Sequence, residues 1–448
     1  MIWILGLVIF WVTRLVNLGL IPIFADEAIY IRWAQLVNQG KIFIPLSDGK
    51  TPLFMWLLAP LLRLGFDPLL TGRILSVAAG LATVIGIYFL TKKLFSRQAA
   101  LVAAGLALLQ PFLLFYDRMS LTDSLLTALI VWAAYFGTGL GLGIFGAAAL
   151  LVKPSALIYL LIIPLFALKN LKKIIIAGLI AGIGYNLLRF SDSFYMIKQR
   201  SLDYLRPPSW EGALGVGQAF SRWLVGFCGW PLIIAFVVSL IIAVKYKEIK
   251  IFWLSLLVGV PFAAQAAAGK IFYPRYLLPL MPFILITVSW GMRRLGKLGL
   301  LLAAVIGLSW LKFDYLLLTD PLQAPLPRAE KEQYFYEWSA GYGLREIKDY
   351  LLKLPSDRPV LVATEGSFGT LPNGLEIYFN NSQKTQILGV GFPKTTVSPA
   401  MEQALQAGKP VYLVANYNRY NFADSQRLAL ISEYPRPGGE KLMFYEVH

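Results

Sequence analysis

Along most of the chain, apolar runs of membrane-spanning length alternate with short polar breaks, and only after about residue 320 does the pattern change to short β-type runs between helical stretches. At about 20 apolar residues per span, the pattern predicts helices near 2–20, 73–91, 98–116, 122–138, 140–152, 155–168, 174–190, 217–243, 251–268, 276–291 and 298–317, about eleven spans in all. Pro52 to Phe66 is a further apolar stretch that could dip into the membrane. Between the first two spans, segment 21–72 holds an amphipathic stretch, Ile29 to Gln39. Its Ile29, Trp33, Leu36 and Val37 fall at helical spacing, which predicts a helix lying along the interface with its apolar face in lipid.

Beyond residue 320, β-type runs at Pro359 to Ala363, Leu375 to Phe379, Thr385 to Val390, Val411 to Ala415 and Met443 to Val447 alternate with helical stretches at Tyr342 to Leu354 and Pro399 to Gln406. This alternation predicts a small α/β domain. The expected fold is a polytopic α-helical membrane domain, 1–319, followed by an extracytoplasmic α/β domain, 320–448.

Composition agrees: 57% of the 448 residues are hydrophobic and 15% charged, with a mean hydropathy of +0.62, too apolar for a soluble globular chain of this size. The first run lacks a basic leader and a small-residue cleavage site, so it is read as a retained span. A net charge of +16 could suggest nucleic acid, but the bases recur in short clusters between spans: Lys92, Lys93 and Arg97; Lys169, Lys172 and Lys173; Lys245, Lys247 and Lys250; Arg293, Arg294 and Lys297. That is the positive-inside pattern, which marks these turns as cytoplasmic and implies a cytoplasmic N-terminus, external long loops and an external C-terminal domain. No nucleic-acid partner is expected. One cysteine, Cys228, and one histidine, His448, leave no internal disulfide, Cys/His zinc site or Ser-His-Asp triad, so acid–base work falls to carboxylates, lysines or tyrosines.

The charged residues expected on the external side define the candidate chemistry. Asp26 and Glu27 stand side by side where the first span leaves the bilayer; ionisable residues are costly there and suggest function, although acids in this position also serve as solvated loop residues or as the N-cap of the next helix. Lys50 lies in a Gly-Lys-Thr-Pro turn, where its ammonium could meet a phosphate or simply snorkel to the headgroups. Arg73 and Arg275 begin spans from the same side, where snorkelling is equally cheap. Asp117, Arg118 and Asp123 lie between the third and fourth spans, and Ser120-Leu121-Thr122-Asp123 reads as a capping box that would explain Asp123 without chemistry. Lys153, before Pro154, fits an inter-helix turn, and Lys270 lies outside the ninth span. Cations and carboxylates on one membrane face suit a site that holds a lipid-linked phosphate and activates a nucleophile.

Four local patterns, in order, resemble the C-type membrane glycosyltransferases, and more closely the branch of protein O-mannosyltransferases and the lipid A aminoarabinose transferase. They are Asp26-Glu27 after span one; Lys50-Thr51-Pro52-Leu53, similar to a Lys-Pro-Pro-Leu signature with Thr51 in place of proline; Gly72-Arg73-Ile74-Leu75-Ser76, similar to an Arg-Leu-Pro-Ser helix start; and Arg275-Tyr276-Leu277-Leu278-Pro279, similar to a Tyr-x-Leu-Pro segment. The resemblance implies a multi-pass enzyme of the plasma or inner membrane. It would transfer a sugar from a polyprenyl-phosphate donor to a protein, lipid or glycan acceptor, with inversion. Asp26 matches the general base and Glu27 its neighbour, Lys50 and Tyr276 match the carrier-phosphate contacts, and Asp123 matches an external acid; Arg73 and Arg275 join the expected substrate contacts. No essential catalytic metal is implied, although the adjacent acids could bind a divalent cation through oxygen. A transporter of lipid-linked sugars would require mid-membrane polar residues and paired repeats, which this sequence does not display; a polymer ligase of the same fold shares the acid-pair logic.

Overall fold

The computed structural model describes residues 2–355, 358–391, 396–419 and 425–448. The chain forms two compact units, divided differently from the expected 1–319 and 320–448. The first comprises Met1–Leu18, Lys41–Leu57 and Arg73–Pro327; the second joins Gly19–Gly40 and Leu58–Gly72 to Arg328–His448.

The first unit is helical. Among the described residues five helices are long and apolar enough to cross a membrane: Pro68–Leu94, Trp210–Tyr246, Ile249–Ala268, Pro274–Arg294 and Gly296–Thr319. Arg97–Leu108 and Pro111–Asp117 make a sixth if counted as one span bent by 60°. Ile2–Leu15, Thr122–Phe136, Gly139–Val152 and Leu171–Asn186 occupy four of the other expected spans as shorter helices, and the expected span 155–168 is the short helix Ala156–Ile162 followed by the 3-10 stretch Ile163–Asn170, so the expected runs are helical but length and composition alone establish fewer crossings.

Two of the bends in the expected spans have a chemical cause legible in the sequence. The bend after Leu108 is fixed by Gln110, whose Oε1 accepts from the N–H groups of Phe112 and Leu113 ahead of Pro111, the first helical residue. Within Trp210–Tyr246, Gly229 at φ +72° and the nearby Pro231 break the helical run. Small residues let helices close up where apolar bulk would hold them apart: a Cβ on Gly143 would stand 2.8 Å from Ile180 Cβ, and one on Gly184 2.7 Å from Ala147 Cβ. Pro274–Arg294 is the most enclosed of the long helices, 94% of its apolar window being buried.

Arginines close the helix ends. Arg118 donates to the carbonyls of Thr13, Arg14, Val16 and Asn17 at 2.8–3.0 Å, satisfying the C-terminal carbonyls of Ile2–Leu15. Arg14 reaches Leu108 O at 2.7 Å, doing the same for Arg97–Leu108, while its Nε lies 3.6 Å from Asp117 Oδ2. Ser124 Oγ donates to Asp117 Oδ1 at 3.0 Å. Asp117 and Arg118, expected among the external charges, are therefore buried structural groups.

The second unit carries a five-stranded sheet of β1 (Val360–Thr364), β2 (Thr385–Gly389), β3 (Val411–Asn416), β4 (Leu428–Pro435) and β5 (Lys441–Val447), in the order β2-β1-β3-β5-β4. β1 runs parallel to β2 and β3, and β5 runs antiparallel to β3 and β4. Helix Pro399–Gln406 packs on β1 and β3 through Met401 and Ala404. The run Leu375 to Phe379, expected as a strand, instead follows and overlaps the short helix Asn373–Glu376, and β4, half-exposed and weakly apolar, had no counterpart among the expected strands.

Candidate functional site

The acid pair opens helix Ala25–Asn38, four residues earlier than expected. Its side chains do not line up against lipid, as the sequence suggested. Ile29 and Trp33 are buried, and the helix packs on Asn373–Glu376 within the second unit. Polar ties fix it there: Arg32 Nε donates to Glu376 Oε2 at 3.1 Å, Gln35 Nε2 to Ile377 O at 2.8 Å, and Ala25 N–H to Ser339 O at 3.0 Å. Glu27 is fully buried and its Oε2 accepts from the Phe24 N–H at 3.0 Å, so it fills the reciprocal role of a first-turn acid in a capped helix. Asp26, one residue earlier, is half-buried.

The cations gather in the first unit. Gly49, at φ +69°, packs so tightly on helix Tyr195–Asp203 that a Cβ would stand 2.7 Å from Met196 O and 2.5 Å from Arg200 Cβ. This close approach sets the next residue, Lys50, beside Tyr204, with Nζ 3.3 Å from the phenolic oxygen and 5.4 Å from the ring centre. Arg200 stands 3.5 Å from Asp48 and over the same ring at 5.4 Å. Thr51, where the signature has proline, buries a hydroxyl with no hydrogen-bond partner among the described residues.

A second group completes the cluster. Lys153 Nζ lies 2.9 Å from Asp123 Oδ1 and 4.3 Å from the centre of the Tyr276 ring. Arg275 lies over Tyr273 at 4.8 Å and over Tyr276 at 6.0 Å. Tyr276 feels the charges of Arg275, Lys50 and Asp123 together, which places both groups in one electrostatic neighbourhood. The capping box expected at Ser120 is absent: the N-cap of Thr122–Phe136 is Leu121, without a side-chain cap, and Asp123 is committed to Lys153 instead. Arg73 does not snorkel. It is fully buried, inside Pro68–Leu94 rather than at its start, and donates to Leu18 O at 2.7 Å. Among the described residues no three His, Cys, Asp or Glu side chains gather as a candidate metal cluster.

A family model for dolichyl-phosphate-mannose-protein mannosyltransferase matches residues 49–183. ArnT of Cupriavidus metallidurans, in a structure bound to undecaprenyl phosphate, superposes over 99% of this chain and 97% of its own, with a TM-score of 0.64 and 12% identity. The oligosaccharyltransferase AglB of Archaeoglobus fulgidus, in complex with an inhibitory peptide and a dolichol-phosphate, covers 93% of this chain and 69% of its own, with a TM-score of 0.52 and 12% identity. The chain has the fold of the C-type membrane glycosyltransferases. No curated protein matched by sequence comparison.

On this glycosyltransferase fold the family match takes in Lys50, Arg73, Asp123 and Lys153 and starts beyond Asp26 and Glu27. Lys153 reads in sequence as a turn residue, and Tyr204 carries no motif at all. The only hint of Tyr204 in sequence is its place beside Arg200 and Arg206 in a basic external loop. Its contact with Lys50 is made by chain segments 154 residues apart.

Proposed function

We propose that this protein is an integral-membrane glycosyltransferase that moves a sugar from a polyprenyl-phosphate carrier to an acceptor, with Lys50, Lys153 and Arg275 gathering the carrier phosphate and Asp26 taking the acceptor's proton. The observation that supports it most is the cluster in which Lys50, Lys153 and Arg275 stand around Tyr204 and Tyr276, with Asp123 as the paired acid. Three cations to one carboxylate leave positive charge for an anion, and the tyrosine rings hold the ammonium and guanidinium groups by their faces. The likeness to proteins whose structures hold undecaprenyl phosphate or dolichol-phosphate adds to this reading.

The chemistry is a single displacement. The acceptor atom bonds to the anomeric carbon as the bond from that carbon to the phosphate oxygen breaks, inverting the centre. The carrier phosphate leaves with one more negative charge, which the cations stabilise, and the acceptor's proton passes to a carboxylate. Asp26, half-buried, is open to an acceptor where Glu27, fully buried and accepting the Phe24 amide, is not. Arg73, bound to the Leu18 carbonyl, acts in this scheme through position rather than contact. Which sugar and which acceptor are matched is decided by the experiment: mass spectrometry of envelope fractions from cells with and without the protein reads the transferred mass and its attachment point.

In that assay Asp26→Asn is expected to lower transfer by about two to four orders of magnitude while leaving the protein folded and inserted. Lys50→Ala is expected to weaken binding of undecaprenyl phosphate to the protein in lipid nanodiscs by about tenfold. Full transfer by Asp26→Asn would remove that carboxylate from the mechanism, and unchanged lipid binding in Lys50→Ala would remove the lysine from the phosphate site.

A further inference from the structure

Buried polar atoms left without a hydrogen bond are rare in folded proteins, and each needs an account. In the α/β domain several fall in one place. Thr364 Oγ1, Glu365 Oε2 and Asn416 Oδ1 have no hydrogen-bond partner among the described residues, and Arg436 Nη1 and Glu440 Oε2 have only each other, as an ion pair at 3.7 Å. Thr364, Glu365, Asn416 and Arg436 are each at most 3% exposed. Leaving such atoms unmatched is costly to the fold.

Their position in the sheet is equally informative. Thr364 and Asn416 end the parallel strands β1 and β3, and Glu365 follows at once. From β1 the chain departs toward β2 on one side, and from β3 toward β4 and β5 on the other. Neighbouring parallel strands whose connections leave in opposite directions open a crevice at their carboxyl ends, where α/β sheets take up ligands.

We propose that the α/β domain binds a polyhydroxylated ligand, a glycan chain, in the crevice at the ends of β1 and β3. The polar groups are matched to hydroxyls. Glu365 accepts from Asn416 through one carboxylate oxygen and lies 4.0 Å from Arg419, so its second oxygen is left to accept again. Arg436 donates through Nε to Ala340 O at 3.0 Å, and its Nη1 pairs with Glu440 Oε2 at 3.7 Å, too long for a hydrogen bond. Glu440 in turn holds Asn418 at 2.8 Å. A sugar hydroxyl both donates and accepts and can serve both kinds of group. A phosphate would meet the Glu365 and Glu440 carboxylates, and a simple cation would meet Arg419 and Arg436.

Aromatic faces stand on the same loops. Phe368, after β1, is 46% exposed, and Tyr417, after β3, is 64% exposed. Trp338 lies under Arg419 at 4.2 Å and 3.6 Å from where a Cβ on Gly369 would be. Large exposed rings beside a polar floor suit the apolar faces of pyranose rings. Burial raises the pKa of Glu365, so its carboxyl is held in a poorly hydrated place where a donated hydroxyl would be welcome.

The proposal stands without the transfer reading, because binding is measured with no donor lipid present. The test uses the full chain in lipid nanodiscs, where no sugar-headed detergent competes. Mannotriose, maltotriose and chitotriose are each titrated and followed by saturation-transfer NMR, with ethanolamine as the cationic control. Saturable binding of at least one trisaccharide is expected. Glu365→Gln should weaken it by about tenfold, the loss of one charge-assisted hydrogen bond. Tyr417→Ala, an exposed change that leaves the sheet untouched, should weaken it by about threefold or more. Binding of none of the three sugars, binding of ethanolamine alone, or affinity unchanged in both variants overturns the proposal.

Discussion

At the scale of single residues, charge in this chain divides into groups that close backbone ends and groups that gather around the Tyr204 and Tyr276 rings. Arg118 belongs to the first kind. Its guanidinium meets four carbonyls, so Arg118→Met is expected to destabilise the first unit by at least about 2 kcal/mol, seen as a lower melting temperature in nanodiscs; an unchanged melt would show that water replaces the guanidinium. Glu365 gives a pH-dependent case. Its folded value lies above the ordinary 4.5 because of burial, so the folded protein binds that proton more tightly than the unfolded chain, and stability falls as pH rises from 4.5 through the folded value. Glu365→Gln carries no such titration. It should therefore melt higher than the parent at neutral pH, with the gap closing as pH falls toward 4.5; a gap that is constant with pH would count against this account. The sequence could point to Lys50, Asp123, Arg275 and Tyr276, because each lies in a short pattern. It could not separate Arg118 from them, since a capping arginine and a ligand-binding arginine read alike until the carbonyls they face are known.

At the scale of elements, hydrophobic runs located nearly every helix of the first unit, and the strands Thr385–Gly389 and Val411–Asn416 match the expected runs within a residue. What failed was the environment of amphipathic pieces. Ile29, Trp33, Leu36 and Val37 make an apolar stripe, but a stripe cannot say whether lipid or protein covers it, and here the partner is a helix more than 330 residues further along the chain. Leu375 to Phe379 failed for the same reason: five mostly apolar residues fit a strand or a buried turn equally well, and length cannot decide. The break in Trp210–Tyr246 was legible in Gly229 and Pro231 and is set by backbone chemistry alone. Glu27, holding the first turn of Ala25–Asn38, is expected to matter through that helix: Glu27→Ala should cost about 1 kcal/mol or somewhat more, measured by thermal unfolding, whereas Glu27→Gln, which keeps an acceptor for the Phe24 amide, should retain most of it. Equal losses in both variants would point to the charge rather than the cap.

At the scale of the whole molecule, the alternation of basic turns and long polar loops predicts which segments lie on which side of the membrane. The single cysteine makes this directly testable, because Cys228 is buried and a reporter thiol can be added elsewhere. Cysteines introduced at Lys92 or Lys297 should react with an impermeant maleimide only after the cells are opened, and ones at Ser47 or Ser382 should react in intact cells. Labelling of Ser47 and Lys92 from the same side would overturn the orientation. The division of the chain into units, in contrast, was not legible in composition, since residues 21–72 look like one loop between spans and no polar linker marks where its pieces belong.

That division changes what the tail is. Helix Ala25–Asn38 takes its backbone partner from Ser339 and its side-chain partners from Glu376 and Ile377, so a segment synthesised early is completed by one synthesised much later. A ribosome that has made every membrane helix has still not made the surroundings of Asp26, and a chain cut short after Thr319 would keep its hydrophobic bundle but leave its amino-terminal carboxylates without a scaffold. On the proposed function, activity requires residues 328–448 as well as the helical unit.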